Sequence, residues 1–265
     1  MAIIETKKLT RKFGTTTVVD SIDLIIEKGD AFALLGPNGA GKTTIIKMLT
    51  TLLPITSGEA FLKGFNVSTQ PNKVREIIGY VPQMISVDGT LTGMENLLLF
   101  AKLYDIPAKE CKTRVNEALE FMGLSDAAQK PVRVYSGGMI RRLEIAQSML
   151  HRPAILFLDE PTVGLDPIAR KTVWEHILLL KKEYKTTILL TTHLMEEADH
   201  LCNRIALLSR GKLVASGSPE ELKNSLNKKN ATLEDAFIYY TSETISEENE
   251  FKNIVRERKT NQRLG

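Results

Sequence analysis

The 265-residue chain has only two cysteines, Cys111 and Cys202, far apart and without a CxxC spacing. That excludes a disulfide framework, and both read as reduced, partly buried thiols. Histidine is almost as scarce. His151, His176, His193 and His200 form no HxxxH or HExxH pair, so a metal centre built from protein ligands alone is not expected. No apolar run approaches the ~18 residues that span a bilayer. The N-terminus, Met1 to Lys8, has no basic stretch followed by an apolar one, so no secretory signal is expected. A formal net charge of +3 is too small to argue for nucleic acid or an anionic membrane surface as a partner. What is present is ordinary globular composition, 43% hydrophobic and 25% charged, on a chain long enough to bury a real core. Work at a membrane would need spanning helices from another chain.

There is no internal repeat and no low-complexity linker. Ile3 to Leu9 and Val18 to Ile26 alternate as β-strands do. Ala31 to Leu35 is a short apolar run that stops at Gly36, and Ile155 to Leu158, Thr187 to Leu190 and Ile205 to Leu208 are like it. Such runs suit parallel strands covered on both faces. Helical patterns separate them, which predicts an α/β sheet. The stretch from about 84 to 152 predicts a helical insertion. Thr92 and Glu95 make a T-x-x-E capping box, Val115, Ala118, Leu119 and Met122 share one helical face, and Ile140, Leu143, Ala146 and Leu150 share another. On that last helix the pattern points Arg141, Arg142 and Glu144 away from the core. Ser218-Pro219-Glu220-Glu221 and Thr232-Leu233-Glu234-Asp235 open two further helices, and the charged stretch from Ser242 onward reads as a solvated helix or a disordered tail.

Gly36-Pro37-Asn38-Gly39-Ala40-Gly41-Lys42-Thr43 fits G-x-x-x-x-G-K-[ST] and lies between an apolar strand and a helical run that starts at Thr44. Glycines let the backbone approach phosphate oxygens, and consecutive N–H groups at a helix N-terminus form an anion nest. Lys42 is expected on the β- and γ-phosphates of a nucleotide and the Thr43 hydroxyl on Mg²⁺. The strand Ile155 to Leu158 ends in Asp159-Glu160, and parallel strands carry ligands at their carboxyl ends. Asp159 is expected to hold Mg²⁺ through water, and Glu160 to orient and deprotonate an attacking water. Gln83 follows the short strand Gly79-Tyr80-Val81, within reach of Mg²⁺ or the water. His193 ends the strand after the carboxylate strand, placed to donate to a γ-phosphate. A second anion nest, Ser136-Gly137-Gly138, precedes the helix from Ile140. The two phosphate-binding turns lie on different parts of the chain. The economical arrangement is a two-fold dimer in which each ATP lies between one chain's P-loop and the other's Ser136-Gly137-Gly138.

In this order, the set resembles the ATP-binding subunit of an ABC transporter over residues 3 to 241. Gly36 to Thr43 is similar to the Walker A loop, Gln83 to the Q-loop, Ser136-Gly137-Gly138 to the signature, Leu158-Asp159-Glu160 to Walker B, Gly164-Leu165-Asp166 to the D-loop and His193 to the switch histidine. Phe13 falls where the family's adenine-stacking aromatic does, as Phe rather than the common Tyr. Tyr135 and Met139 replace the ends of the usual LSGGQ. This form of the signature, continued by Ile140-Arg141-Arg142-Leu143, resembles the drug-resistance branch of exporters, as does Thr232 to Phe237.

The resemblance implies a P-loop NTPase fold, a mixed and mostly parallel sheet with an antiparallel β subdomain and a helical insertion. It implies Mg-ATP hydrolysis, a second copy or a homologous ATPase subunit, and a separate transmembrane permease at the cytoplasmic face of the cell membrane. The drug-resistance branch implies export rather than import. A soluble ATPase of the same superfamily is the alternative, but such chains usually carry a long coiled coil, zinc-binding insertions or two nucleotide domains, and none is visible. A small GTPase would need N-K-x-D, which Asn227-Lys228-Lys229-Asn230 fails to supply.

Overall fold

The computed structural model describes residues 1–226 and 228–242. The charged stretch expected as a tail lies, beyond Ser242, outside the described residues, as does Asn227. The chain opens with β1 (Ala2–Phe13), β2 (Thr16–Glu27), β3 (Ala31–Leu35) and α1 (Lys42–Leu49). Then come β4 (Ser57–Leu62), β5 (Phe65–Asn66), α2 (Pro71–Ile77) and β6 (Ile78–Val81). Three helices follow before the next strand: α3 (Gly93–Leu103), α4 (Ala108–Phe121) and α5 (Gly137–Met149). The chain continues through β7 (Ile155–Asp159), α6 (Pro167–Tyr184), β8 (Thr187–Thr192), α7 (Met195–Leu201), β9 (Arg204–Ser209), β10 (Lys212–Gly217) and α8 (Pro219–Asn224). Residues 233–242 are helical.

The strands form two sheets. The order β2-β1-β4-β5 is antiparallel throughout. The order β10-β9-β3-β8-β7-β6 is parallel except for the edge strand β10. The four short apolar runs are the four inner strands of the second sheet. Their uniform hydrophobicity has a direct cause, since alternate residues serve different cores. Ala33, Leu156, Leu158, Leu190 and Leu207 face the layer packed by Leu143, Val173, Trp174 and Ile177 of α5 and α6. Phe32, Phe157, Leu189 and Leu208 face the layer shared with α1 and the antiparallel sheet, against Ile4, Ile22, Ile45 and Leu49. Burying each of the Leu, Ile, Val and Phe side chains among these stabilises the fold by roughly 1.5–3 kcal/mol.

The expected helix starts are present. Thr92 Oγ1 accepts from Glu95 N and Glu95 reaches back to Thr92 N, and Ser218 and Glu221 repeat the arrangement on α8. Asp235 does the same work for Thr232, in front of the helix at 233–242. One expectation is corrected. Arg142 is partly exposed, but Arg141 and Glu144 do not point away from the core. They are 7% and 2% exposed. The helical period locates the apolar face, but Pro82, Gln83 and Ser86, from a segment far off in sequence, cover the polar one.

Candidate active site

β3 ends at Leu35 and delivers Gly36 against the neighbouring strand. A Cβ on Gly36 would stand 2.3 Å from the Leu208 carbonyl oxygen, so only glycine fits that approach. Gly41, the N-cap of α1, adopts φ +97, a left-handed conformation that glycine accepts without strain. No side chain caps α1, so its first N–H groups are offered to whatever fills the loop. Asn38, Gly39, Ala40, Gly41, Lys42, Thr43 and Thr44 line an open cleft of about 280 Å³ together with Val18, Gln83 and Glu160. Gly36 and Pro37 shape the loop from below. The Lys42 ammonium is buried and donates to Gly36 O at 2.7 Å and Pro37 O at 3.1 Å.

The carboxylates at the end of β7 reach the same place by the parallel register β3-β8-β7. Asp159 Oδ1 accepts from Thr43 Oγ1 at 3.0 Å and from Thr191 Oγ1 at 2.5 Å. Its negative charge is felt nearby. Burial first, then Asp159, pushes the Tyr80 phenol up to about 12. Glu160 is buried with a left-handed backbone, φ +49, unusual for a residue with a Cβ. Two bonds from its N–H, to Thr191 O at 3.1 Å and Thr191 Oγ1 at 3.0 Å, hold that turn. Its carboxylate is flanked by Lys42 Nζ at 3.3 Å and His193 Nδ1 at 3.2 Å. Lys42, Thr43, Asp159, Glu160 and His193 are therefore one connected set, with Gln83 on the wall of the same cleft.

Phe13 and the turn Ser136-Gly137-Gly138 stand apart from it. Phe13, at the end of β1, is 45% exposed and is not among the side chains lining the cleft. The Arg11 guanidinium covers its ring at 4.5 Å from the centroid. Ser136 and Gly137 are exposed on another part of the chain, also outside the cleft lining. Ser136 Oγ caps α5 by accepting from Met139 N at 3.3 Å. Gly138 is required by packing, since a Cβ there would lie 2.9 Å from the Ala169 Cβ of α6. Tyr135 is buried, with its hydroxyl donating to Ala127 O at 2.7 Å.

Sequence reasoning missed the residues that hold the set in place. Thr191 holds the Asp159 carboxylate and the backbone N–H of Glu160, and only its position two residues before His193 hints at it. Glu197 is fully buried in α7 and accepts from Thr162 Oγ1 at 2.6 Å and Trp174 Nε1 at 3.0 Å. It ties the turn after Glu160 to the helix after His193.

The profile of the ABC transporter family matches residues 19–163. The daunorubicin resistance ATP-binding protein DrrA2 of Streptomyces coeruleorubidus is 43% identical over 221 residues, 83% of this chain and 68% of that protein. The Nod factor export ATP-binding protein I of Ralstonia nicotianae is 41% identical over 83% of this chain and 68% of its own length. Among solved structures, a dimeric ATP-binding cassette in a post-hydrolysis state with ADP and Pi aligns with a TM-score of 0.72 at 25% identity, over 81% of this chain and 98% of that one. With the phosphate loop, the paired carboxylates and these likenesses together, the chain belongs to the ABC transporter family and is an ATP-binding, ATP-hydrolysing subunit of it.

Proposed function

We propose that this subunit powers an exporter as a two-fold pair, each ATP lying between the P-loop of one copy and Ser136-Gly137-Gly138 of the other. The second copy is this chain or a homologous ATPase subunit. The observation that carries the reading is the contrast between a cleft walled by Lys42, Thr43 and Glu160 and an exposed nest on the same chain that lies outside the lining of that cleft. Ile168, 80% exposed and next in the chain to the Ala169 that packs on Gly138, is an apolar side chain that such a pairing would cover. Residues 1–241 act as the nucleotide-binding domain, with the helices at about 84–152 as its inserted subdomain and 242–265 as an appended tail.

Within each site Gly36 to Thr44 and Lys42 bind the phosphates, and Phe13 stacks on adenine. The hard oxygen donors Thr43 Oγ1 and Asp159 Oδ1, adjacent at 3.0 Å, suit Mg²⁺ beside phosphate, and Gln83 adds an amide oxygen from the cleft wall. When bound, the ion neutralises charge on the phosphates. Glu160 takes a proton from the attacking water as the terminal phosphate leaves ADP. His193, anchored on that carboxylate, donates to the phosphate being cleaved. These residues supply positioning and charge stabilisation, which is what phosphoryl transfer needs from a protein.

The membrane partner in this reading is a separate permease at the cytoplasmic face; no described helix is itself long and apolar enough to cross a membrane. Met84 and Ile85, directly after Gln83, are 82% and 66% exposed and offer an apolar contact for it. The relatives named for drug resistance and for export favour export. Glu160→Gln tests the chemistry. ATP binding stays and kcat falls by roughly 10²–10⁴, the worth of a general base. Normal turnover in that variant removes Glu160 from the role.

A further inference from the structure

α5 starts at the exposed nest Ser136–Gly138 and, one turn on, carries two buried charges whose partners lie in one distant segment. Arg141 Nη1 donates to Pro82 O at 2.8 Å, and Nη2 donates to Gln83 O at 3.2 Å. Glu144 Oε1 accepts from Ser86 N at 2.6 Å and from Ser86 Oγ at 3.0 Å. Glu144 Oε2 lies 3.0 Å from Arg141 Nη1, which joins the two grips. The pair thus holds both ends of the segment 82–86. Between the held ends protrude the apolar side chains of Met84 and Ile85, and Gln83 itself lines the nucleotide cleft.

The chemistry of the pair fits gripping better than stabilising. A planar guanidinium holds two carbonyls from two nitrogens in a fixed fork, whereas an ammonium is a single compact donor without that planar geometry. Burial pushes the Glu144 carboxyl up from the ordinary range, and Arg141 and the Ser86 contacts pull it back down. If the pair served only to pack α5, apolar residues of similar volume would do as well or better, because two charges must be desolvated to sit there. Their extra return is a fixed geometry between α5 and the backbone of Gln83.

We propose that Arg141 and Glu144 are positioning residues that lock the Gln83 segment to the helix beginning at Ser136, so that nucleotide held by a second copy against the nest is sensed at Gln83 and at the Met84-Ile85 protrusion of the same chain. The proposal rests on the two-copy reading above. It makes α5 the rigid element between the two, with 82–86 moving as part of it rather than as a free loop.

The double replacement Arg141→Met with Glu144→Leu removes both charges at similar volume. Its thermal midpoint falls by a few degrees, because the Pro82 and Gln83 carbonyls and Ser86 lose their partners, but the chain still folds. ATP affinity stays within about threefold, because neither residue lines the cleft. kcat falls by roughly 10- to 100-fold, the usual result of misplacing a group that must be held in register. Arg141→Lys, which keeps the charge but loses the planar two-nitrogen fork, recovers part of the loss. The deciding readout is hydrogen exchange at the amides of 83–86, followed in a Glu160→Gln background that keeps ATP uncleaved. In that parent, ATP produces a dimer and slows exchange both at 36–43 and at 83–86. Adding the double replacement preserves the dimer and the slowing at 36–43 but abolishes it at 83–86. Equal slowing at 83–86 in both chains, or undiminished kcat, overturns the lock and leaves the two-copy reading standing. Failure of the parent to dimerise with ATP overturns the two-copy reading and the lock with it. Where the double replacement does not fold, Arg141→Lys decides by the same exchange measurement, with full slowing and full kcat counting against the lock.

Discussion

The P-loop and the turn Ser136–Gly138 both set glycines in front of a helix, yet their surroundings differ. The P-loop is enclosed by its own chain. Lys42 is held by two carbonyls of the loop and by Glu160, Thr43 by Asp159, and Glu160 by His193. The nest at Ser136 touches no such group. Its serine does no more than cap α5, its first glycine is exposed, and its second serves to let α5 approach α6. The same local device is therefore complete in one place and half-built in the other. Parallel strands bring the P-loop and the two carboxylates to one edge of a sheet without further help, because register alone places strand ends together. Among the described residues no element brings the nest to that edge, which is why we propose that its counterpart comes from a second copy.

That contrast can be broken by blocking the open turn. Ser136→Arg fills the nest while leaving the P-loop untouched. Binding of ATP to the single chain is unchanged and hydrolysis falls to background, as measured by calorimetry beside a phosphate-release assay. Hydrolysis at the wild-type rate would show that the nest is only a helix cap. Next in size is Lys42→Ala, which attacks the enclosed turn. Losing a charge-assisted contact of about 1.5–3 kcal/mol weakens nucleotide binding by roughly 10- to 100-fold. Unchanged binding would remove phosphate from the loop. Glu160 then keeps only His193 beside it, so the unfolding midpoint is recorded as well, to separate lost contact from lost fold. The smallest effect is Phe13→Ala. Stacking of a base on an aromatic ring is worth about 1–3 kcal/mol, and because Phe13 stands outside the cleft lining, the lower end is expected. ATP affinity falls about fivefold and inorganic triphosphate affinity does not change; equal losses for both ligands would mean that Phe13 acts on the loop and not on the base.

Much of this was legible from residue order alone. The inner strands announce themselves because both faces are buried, and the P-loop because its chemistry needs glycine at set positions. Asp159 and Glu160 could be placed because a strand end in a parallel sheet is a predictable location. What was not legible depends on partners remote in the chain. Arg141 and Glu144 look like a solvated face until the backbone of 82–86 is seen against them. Thr191 reads as one more strand threonine until its hydroxyl is found between the Asp159 carboxylate and the Glu160 backbone N–H. Glu197 reads as a surface acid of a short helix, yet it is buried under Thr162 and Trp174. In each case the side chain is polar, its partners are backbone or buried polar atoms, and no hydrophobic period records the contact.

The central claim is that the ATP site is completed by a second copy. Sedimentation equilibrium of the Glu160→Gln chain, with and without Mg-ATP, tests it most directly. The account predicts a monomer without nucleotide, a dimer with it, and a monomer again when Ser136→Arg is added to the same chain. A mass that ATP does not change, or a dimer that survives Ser136→Arg, would contradict it.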